Sequence, residues 1–320
     1  MSDYTIHPLK HEEFHVLIPL MQACFGMNAP LAYFEWKFLH NPAGFVEGYI
    51  AKTSTGKVAA YYGVIPELYQ ISGVETIIYQ SSDTMTHPEH RRKGLFELLA
   101  RHCYSSLQEQ NRLFIIGFGG QSSMPGFLKF GWKQIFDMKY YFFPKIFTIF
   151  QKHNYKNVYE IKNHEQISSL CLKSNQTATI HSHKTLAGFQ WRLSNPLHVY
   201  FVVAHRATDG DYDAYLCYYF SDNKIILFDY FFESAIGEQN LMRYLKDKLS
   251  KSTCKGIVAF VQEKSDYTTL LKKHGFVSNP LGKGPLSEKV PFILFADTAN
   301  LSACQKPDLW RINSFDHDSM

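Results

Sequence analysis

The sequence predicts an α/β chain built as two tandem copies of one unit, each a twisted mixed sheet flanked by helices. Three observations predict it. One motif occurs twice at a fixed offset, apolar β-rich runs and helical segments follow the same order around both occurrences, and a basic strand-to-helix turn interrupts the first copy only.

The repeated motif is Phe34-Glu35-Trp36-Lys37 followed by Asn41-Pro42, and again Phe189-Gln190-Trp191-Arg192 followed by Asn195-Pro196. The tryptophans stand 155 positions apart, and Tyr4 and Ile6 match Tyr159 and Ile161 at the same offset. Downstream, Lys129-Phe130-Gly131-Trp132 matches Lys273-His274-Gly275-Phe276 at an offset of 144. Three anchors in one order are hard to obtain by chance.

In order, copy one reads as a short strand near Tyr4, helical segments through Phe38, and β-rich runs at 48–52, 57–65 and 76–86. A helix over 94–110 places Leu95, Leu98, Leu99 and Cys103 on one face. A buried strand at 113–118, a short helix to Lys129 and a strand at 132–143 complete it. Copy two repeats the order with strands at 199–204, 212–220 and 224–232, a helix at 238–249, a strand at 256–261, a helix to His274 and a strand at 291–296. Strands that run into a β–α–β crossover form a mixed sheet with helices on its faces. The boundary is expected between Pro144 and Lys156, giving units of 1–147 and 148–320.

Composition narrows the classes. Of 320 residues, 45% are hydrophobic and 19% charged, enough apolar material for a core and too much for wholesale disorder. A formal net charge of +4 does not describe a protein that holds nucleic acid on a broad basic face. Six cysteines without a C-x-x-C pair point to a reducing cytoplasm rather than a disulfide framework or zinc knuckle. No apolar stretch nears the roughly 18 residues of a membrane span, and no signal peptide is expected.

The most informative stretch runs from Asp83 to Phe96: Asp83-Thr84-Met85-Thr86-His87-Pro88-Glu89-His90-Arg91-Arg92-Lys93-Gly94-Leu95-Phe96. It ends a strand, turns, and opens an amphipathic helix. Free amides and the positive dipole end at a helix start hold anions, and Gly94 lets a phosphate approach the backbone. Arg91, Arg92 and Lys93 add positive charge. The bland alternative is a solvated basic helix start. Copy two reads Glu233-Ser234-Ala235-Ile236-Gly237-Glu238 at this place, with acids where cations are needed.

This stretch resembles motif A of the GNAT acyltransferases, Arg/Gln-x-x-Gly-x-Gly/Ala after a strand. Arg91 and Gly94 match; Phe96 stands where a small residue is usual. Phe127-Leu128-Lys129-Phe130-Gly131-Trp132 is similar to the family's closing Tyr-x-x-x-Gly-Phe segment, and the likeness covers most of 1–143. The resemblance implies acyl-CoA as cosubstrate, with its pyrophosphate on the amides from Arg92 through Gly94 and Leu95 to Phe96. It implies pantetheine between splayed strands near Met85 and Gly117, with Thr86, Gly119, Ser123 and Phe127 also against the cofactor, and an oxyanion contact from the backbone near Met85 or Thr86. No metal is implied.

Acyl transfer to an amine needs a neutral amine, a stabilised oxyanion and a tolerable leaving thiolate. Asp83 is the nearest carboxylate on the strand and the candidate base; the alternative is a structural aspartate. Phe127 occupies the place of the family's acidic tyrosine and cannot donate a proton. The thiolate then leaves unassisted, or Ser122, Ser123 or a nearby tyrosine assists. Gln121 and Ser122 are candidate acceptor contacts. Gly117, Gly119 and Gly120 would leave room for an acyl group longer than acetyl, or form a simple loop. Trp310-Arg311 would hold a base and a phosphate, or dock the tail. His181, His183 and His317 read as polar surface, and Trp36 and Trp191 as core.

The tandem arrangement is similar to bacterial N-acyltransferases that acylate dTDP-linked 3-amino-3,6-dideoxyhexoses for surface polysaccharide, using acetyl- or 3-hydroxybutanoyl-CoA. The implied partners are a nucleotide sugar and acyl-CoA, without nucleic acid or membrane. Rivals are an acetyltransferase for another small amine, an aminoglycoside or a protein lysine, and a non-catalytic acyl-CoA sensor.

Overall fold

The computed structural model describes residues 4–120, 123–150, 154–174, 178–279, 283 and 286–318. The first half contains β1 (Tyr4–Pro8), α1 (Leu17–Phe25), α2 (Leu31–Phe38), β2 (Glu47–Thr53), β3 (Val58–Ile71), β4 (Val74–Thr86), α3 (Leu95–Glu109), β5 (Phe114–Phe118), α4 (Met124–Lys129) and β6 (Lys133–Pro144). The second contains β7 (Val158–Glu160), α5 (Ser168–Ser174), β8 (Ile180–Ser182), α6 (Leu186–Leu193), β9 (Tyr200–Arg206), β10 (Tyr212–Ser221), β11 (Lys224–Phe232), α7 (Ala235–Lys251), β12 (Gly256–Gln262), α8 (Asp266–Lys273), β13 (Lys289–Ala296), α9 (Thr298–Cys304) and β14 (Trp310–Arg311).

The α/β class and the mixed sheet flanked by helices are those expected. The sheet itself does not break between the copies. Its order is β1-β2-β3-β4-β5-β13-β6-β12-β11-β10-β9-β7, one sheet of 14 strands once β8 and β14 are added at the end of β3. The closing strands have changed places: β13 pairs with β5 of the first half, and β6 pairs with β12 of the second. β13 and β6 also pair with each other, so both copies contribute to one central run of ladder bonds. Each copy thereby covers the other's exposed sheet edge, which would otherwise be a pairing liability.

Period-4 apolar spacing builds α3. Leu95, Leu99, Cys103 and Leu107 are buried and pack on Tyr62, Tyr79 and Ile115 of the sheet. α1 and α2 carry their own core, with Leu17, Met21, Phe34, Trp36 and Phe38 packed against Ile50, Tyr61 and Ile65. Trp191 of α6 joins that core, so the two copies also meet through their repeated helices.

The segment after α9 returns across the sheet to the first half. Gln80 Nε2 donates to Asp316 O at 2.7 Å, and Ser82 Oγ to Asp318 Oδ2 at 2.9 Å. β14 and β8 are short strands without alternation, and the sequence alone does not show them.

Candidate active site

The strand-to-helix turn takes a backbone path that few residues permit. Ser82 pairs with Gly63 and Met85 with Tyr61, so Asp83 and Thr84 oppose the single residue Tyr62. That is a β-bulge, and Asp83 sits in it at φ 48°. After Pro88–His90, a 3-10 turn, Arg92 has φ 63° and Gly94 φ 73°. Gly94 caps α3 without a side chain to occupy the first amides. Arg91, Arg92, Lys93 and Gly94 are all exposed.

The equivalent turn in the second half is closed. Ser234 accepts the Gly237 amide at 2.8 Å, so α7 caps itself. Glu238 bonds Lys273 and His274 at 2.6 Å each. At α7 a side chain thus occupies one of the first amides, which at α3 Gly94 does not do.

β4 and β5 pair only at Tyr79–Ile115 and Gln80–Ile116, then separate. The edges from Ser81 to Thr86 and from Gly117 to Gly120 therefore face an opening. Strand alternation fixes which amides look into it. The His87 amide donates to Ala59 O of the β3 side at 2.9 Å. Two residues back, Met85 turns its amide to Tyr61 in the same way, and alternation turns that of Thr86 away from β3. The Met85 amide, one of the two expected oxyanion contacts, is thus paired within the sheet, and the Met85 side chain lies in the core. The Cys24 thiol stands beside the Thr86 amide and Arg91, with its pKa raised by burial.

Asp83 is not an open carboxylate. Lys37 Nζ lies 2.8 Å from Asp83 Oδ2, 2.9 Å from Asp318 Oδ2 and 2.9 Å from the Tyr33 hydroxyl. Burial works against the lysine charge, yet Asp318 and Asp83 outweigh it and hold Lys37 protonated well above its usual value. Burial raises Asp83 further than Lys37 lowers it. For Asp318 the balance reverses, and Lys37 with His317 holds the carboxyl below the usual range despite burial. The candidate base is a structural ion-pair member, because a lysine already occupies it.

Other expectations are corrected by packing. Phe127, expected against the cofactor, is 5% exposed and its ring packs between Phe96 and Trp132 in the core. Phe96 fits because Gly126 is bare: a Cβ there would stand 3.1 Å from the Phe96 ring. The room expected at the glycines is already filled. A Cβ on Gly119 would meet Met124 Sδ at 2.2 Å, and one on Gly117 would meet Trp132 at 3.3 Å. Trp310 is 3% exposed and donates to Cys304 O at 2.7 Å, while Arg311 bonds the Tyr267 hydroxyl at 2.9 Å; the pair is no nucleotide grip. His181 is buried rather than superficial, and the His317 ring packs on Phe118 at 4.3 Å, with burial lowering its pKa to about 4. Ser123 closes its own turn by donating to Gly120 O at 3.1 Å. Leu95 gives its side chain to the core, which leaves its amide at the turn. Gln121 and Ser122 lie outside the described residues.

Sequence reasoning missed a cavity on the sheet face opposite α3, between the Asn41–Ala43 loop, β3 and α6. It is about 70 Å³, and Glu67, His183, Trp191, Arg192 and Phe315 help line it. Burial raises Glu67 to about 7. Among the described residues, His87, Glu89 and His90 bring three potential ligand atoms within 4.8 Å of one another. His90 Nδ1 is engaged by the Tyr4 hydroxyl at 2.8 Å, and Glu89 is exposed.

An amide-lined turn beside a splayed strand pair agrees with comparison to known proteins. Residues 5–135 match the model of the acetyltransferase (GNAT) domain family. Over this segment the chain resembles an acetyltransferase (GNAT) domain. Its chemistry is acyl-CoA-dependent N-acyl transfer, with acyl-CoA as cosubstrate. The solved structures extend the likeness over both halves. A probable N-acyltransferase from Enterococcus faecalis is 12% identical, with a TM-score of 0.71 over 92% of this chain and 72% of that one. A GCN5-related N-acetyltransferase from Anabaena variabilis is 14% identical, with a TM-score of 0.68 over 91% and 72%. N-myristoyltransferase from Saccharomyces cerevisiae, with bound myristoyl-CoA, is 12% identical, with a TM-score of 0.65 over 92% and 79%. At these identities the likeness is one of fold. No curated protein matches the chain. No helix among the described residues is long and apolar enough to cross a membrane.

Proposed function

We propose that this GNAT enzyme moves a short acyl group from CoA to the amine of a small hydrophilic acceptor, with the two halves dividing the work. The first half, 1–147, takes acyl-CoA. Its pyrophosphate rests on the amides from Arg92 to Phe96, beside the Arg91 and Lys93 side chains, and its pantetheine enters the opening between β4 and β5. The observation that carries this reading is the contrast between an uncapped α3 and a self-capped α7. The second half, 148–320, supplies β13, the returning segment and one wall of the acceptor side.

The thioester carbonyl meets the amides of Thr84 and Thr86, which stabilise the oxyanion. The amine nitrogen attacks the carbonyl carbon, the carbon–sulfur bond breaks, and CoA leaves as thiolate. The proton lost by nitrogen goes to the thiolate or to water. A thiol with a pKa of about 8.5 leaves without a dedicated acid, which suits a phenylalanine at position 127. The amine enters neutral from solution, so Asp83 is a positioning residue. Filled space at Gly117 and Gly119 favours acetyl or 3-hydroxybutanoyl over a long chain.

The acceptor we propose is a nucleotide-linked amino sugar for surface polysaccharide, on the strength of the repeated Phe-x-Trp and Asn-Pro motifs. A cytoplasmic location follows from such a cosubstrate and is supported by six unpaired cysteines. The test is free-thiol release from acetyl-CoA and 3-hydroxybutanoyl-CoA against a panel of dTDP- and UDP-linked amino sugars. Release with one of them supports the reading. CoA binding without turnover on any amine would turn the protein into an acyl-CoA sensor.

A further inference from the structure

The returning segment fills one opening of the sheet and crosses the other. In the second half, β11 and β12 pair from Lys224–Gly256 to Leu227–Ala259 and then part, as β4 and β5 part in the first. The chain itself occupies the gap. Gln262 donates its amide to Ile312 O at 3.1 Å, and Asn313 Nδ2 donates to Asp229 Oδ1 at 3.0 Å. Ser314 Oγ accepts the Phe260 amide at 3.2 Å and stands 3.3 Å from Leu227 O on the other strand. Residues 312–314 thus bridge the second pair of parted strands and take polar groups left over from the ladder.

The same segment then reaches the first opening. Asp316 O receives Gln80 Nε2 at 2.7 Å, and Asp318 Oδ2 receives Ser82 Oγ at 2.9 Å, both from β4. On the β5 side, the His317 ring packs on Phe118 at 4.3 Å, with Phe260 edge-on at 5.5 Å. Gln80–Ile116 is the last pair between β4 and β5, so residues 316–318 span the two strands where they part. Tyr79 and Ile115 pack beneath α3, and alternation sends Gln80 and Ile116 to the opposite face. The segment therefore covers the opening on the face away from α3. Arg192 fixes its backbone by donating Nε to Phe315 O at 2.9 Å and Nη2 to His317 O.

A thioester whose pyrophosphate rests at the α3 turn enters from the α3 side, and its acyl group is the end farthest from the phosphates. A chain that ran on through the sheet would meet residues 316–318 first. Burial lowers His317 to about 4, so its ring is uncharged at neutral pH and presents no ion to a hydrocarbon. We propose that this segment measures the acyl group, with the His317 ring as the stop that admits acetyl or butanoyl and turns away longer chains. The assignment rests on the acyl-CoA reading of the α3 turn and names the residue that sets its acyl specificity.

The test reads binding by calorimetry on the full chain, for the wild type, His317→Ala and His317→Trp. Free CoA, acetyl-, butanoyl-, hexanoyl- and octanoyl-CoA are compared, each affinity being referred to free CoA in the same protein. His317→Trp keeps a ring on Phe118 and serves where His317→Ala does not fold. The wild type is expected to bind octanoyl-CoA about tenfold or more weaker than acetyl-CoA. His317→Ala should remove that penalty, and His317→Trp should extend it to butanoyl-CoA. A wild type that takes octanoyl-CoA as well as acetyl-CoA, or chain-length profiles that coincide in the three proteins, would overturn the stop while leaving the turn in place. Free CoA that binds to none of them would overturn the reading of the turn, and the stop with it.

Discussion

Trp36 Nε1 donates to Trp191 O at 2.7 Å, and Trp191 Nε1 donates to Trp36 O at 2.8 Å, across stacked rings 5.2 Å apart. Each residue does to the other what the other does to it, as at a two-fold axis. Their separation of 155 residues is the repeat offset itself. The next residues diverge: Lys37 joins Asp83 and Asp318, whereas Arg192 holds backbone carbonyls and lines the cavity. One repeated dipeptide thus serves an ion pair in one copy and a cavity wall in the other.

Trp191→Phe removes one half of this exchange and leaves Trp36 O buried without its donor. A loss of about 1–3 kcal/mol is expected, seen as a lower midpoint in urea unfolding. Trp36→Phe should cost a similar amount, and the double variant less than the sum. Full additivity would show that the two bonds are independent.

Lys37→Met leaves Asp83 and Asp318 buried without a cation. Removing one partner of such a pair costs about 3–5 kcal/mol. Thermal unfolding at neutral pH should show a large drop in Tm. Acid should narrow the gap, because protonating the orphaned carboxyls relieves them. A gap that stays constant down to acid pH would contradict this arrangement.

Phe127→Tyr puts a hydroxyl into the packed space between Phe96 and Trp132. A stability loss of about 1–3 kcal/mol and no gain in turnover are expected. A faster enzyme with an unchanged Tm would restore position 127 to the thioester.

Glu67 titrates at about 7 in the folded chain, against a usual value of 4.5. Between those values the folded state holds the proton more tightly, so wild-type stability rises as pH falls from 7 towards 4.5. Above pH 7 the buried charge carries its full cost. Glu67→Gln should therefore raise Tm at pH 8, with an advantage that shrinks by pH 5. An advantage independent of pH would remove the titration from this site.

The sequence carried the strand and helix order because local periodicity writes it: Leu95, Leu99 and Cys103 recur at helical spacing, and β-rich runs bracket them. The basic turn was legible because Gly94 and the cations around it are contiguous. Strand exchange was not, since β6 and β13 have the same composition whichever neighbour they pair with. Asp83 looked like a base because Lys37 lies 46 positions away and Asp318 farther still. Trp310 and Arg311 looked like a ligand grip because nothing local shows that Cys304 and Tyr267 receive them. The cavity joins Glu67 to Arg192, a pairing that only the repeat's two-fold packing creates.

The most direct test of the central claim is calorimetric titration of acetyl-CoA into the intact protein and into Arg91→Glu/Lys93→Glu. Both side chains are exposed at the α3 turn, so the fold should persist. Saturable one-site binding to the wild type, weakened about tenfold or more in the variant, is the expected result. Equal affinity in the two proteins, or no binding to either, would contradict the assignment of the acyl-CoA site to the turn that opens α3.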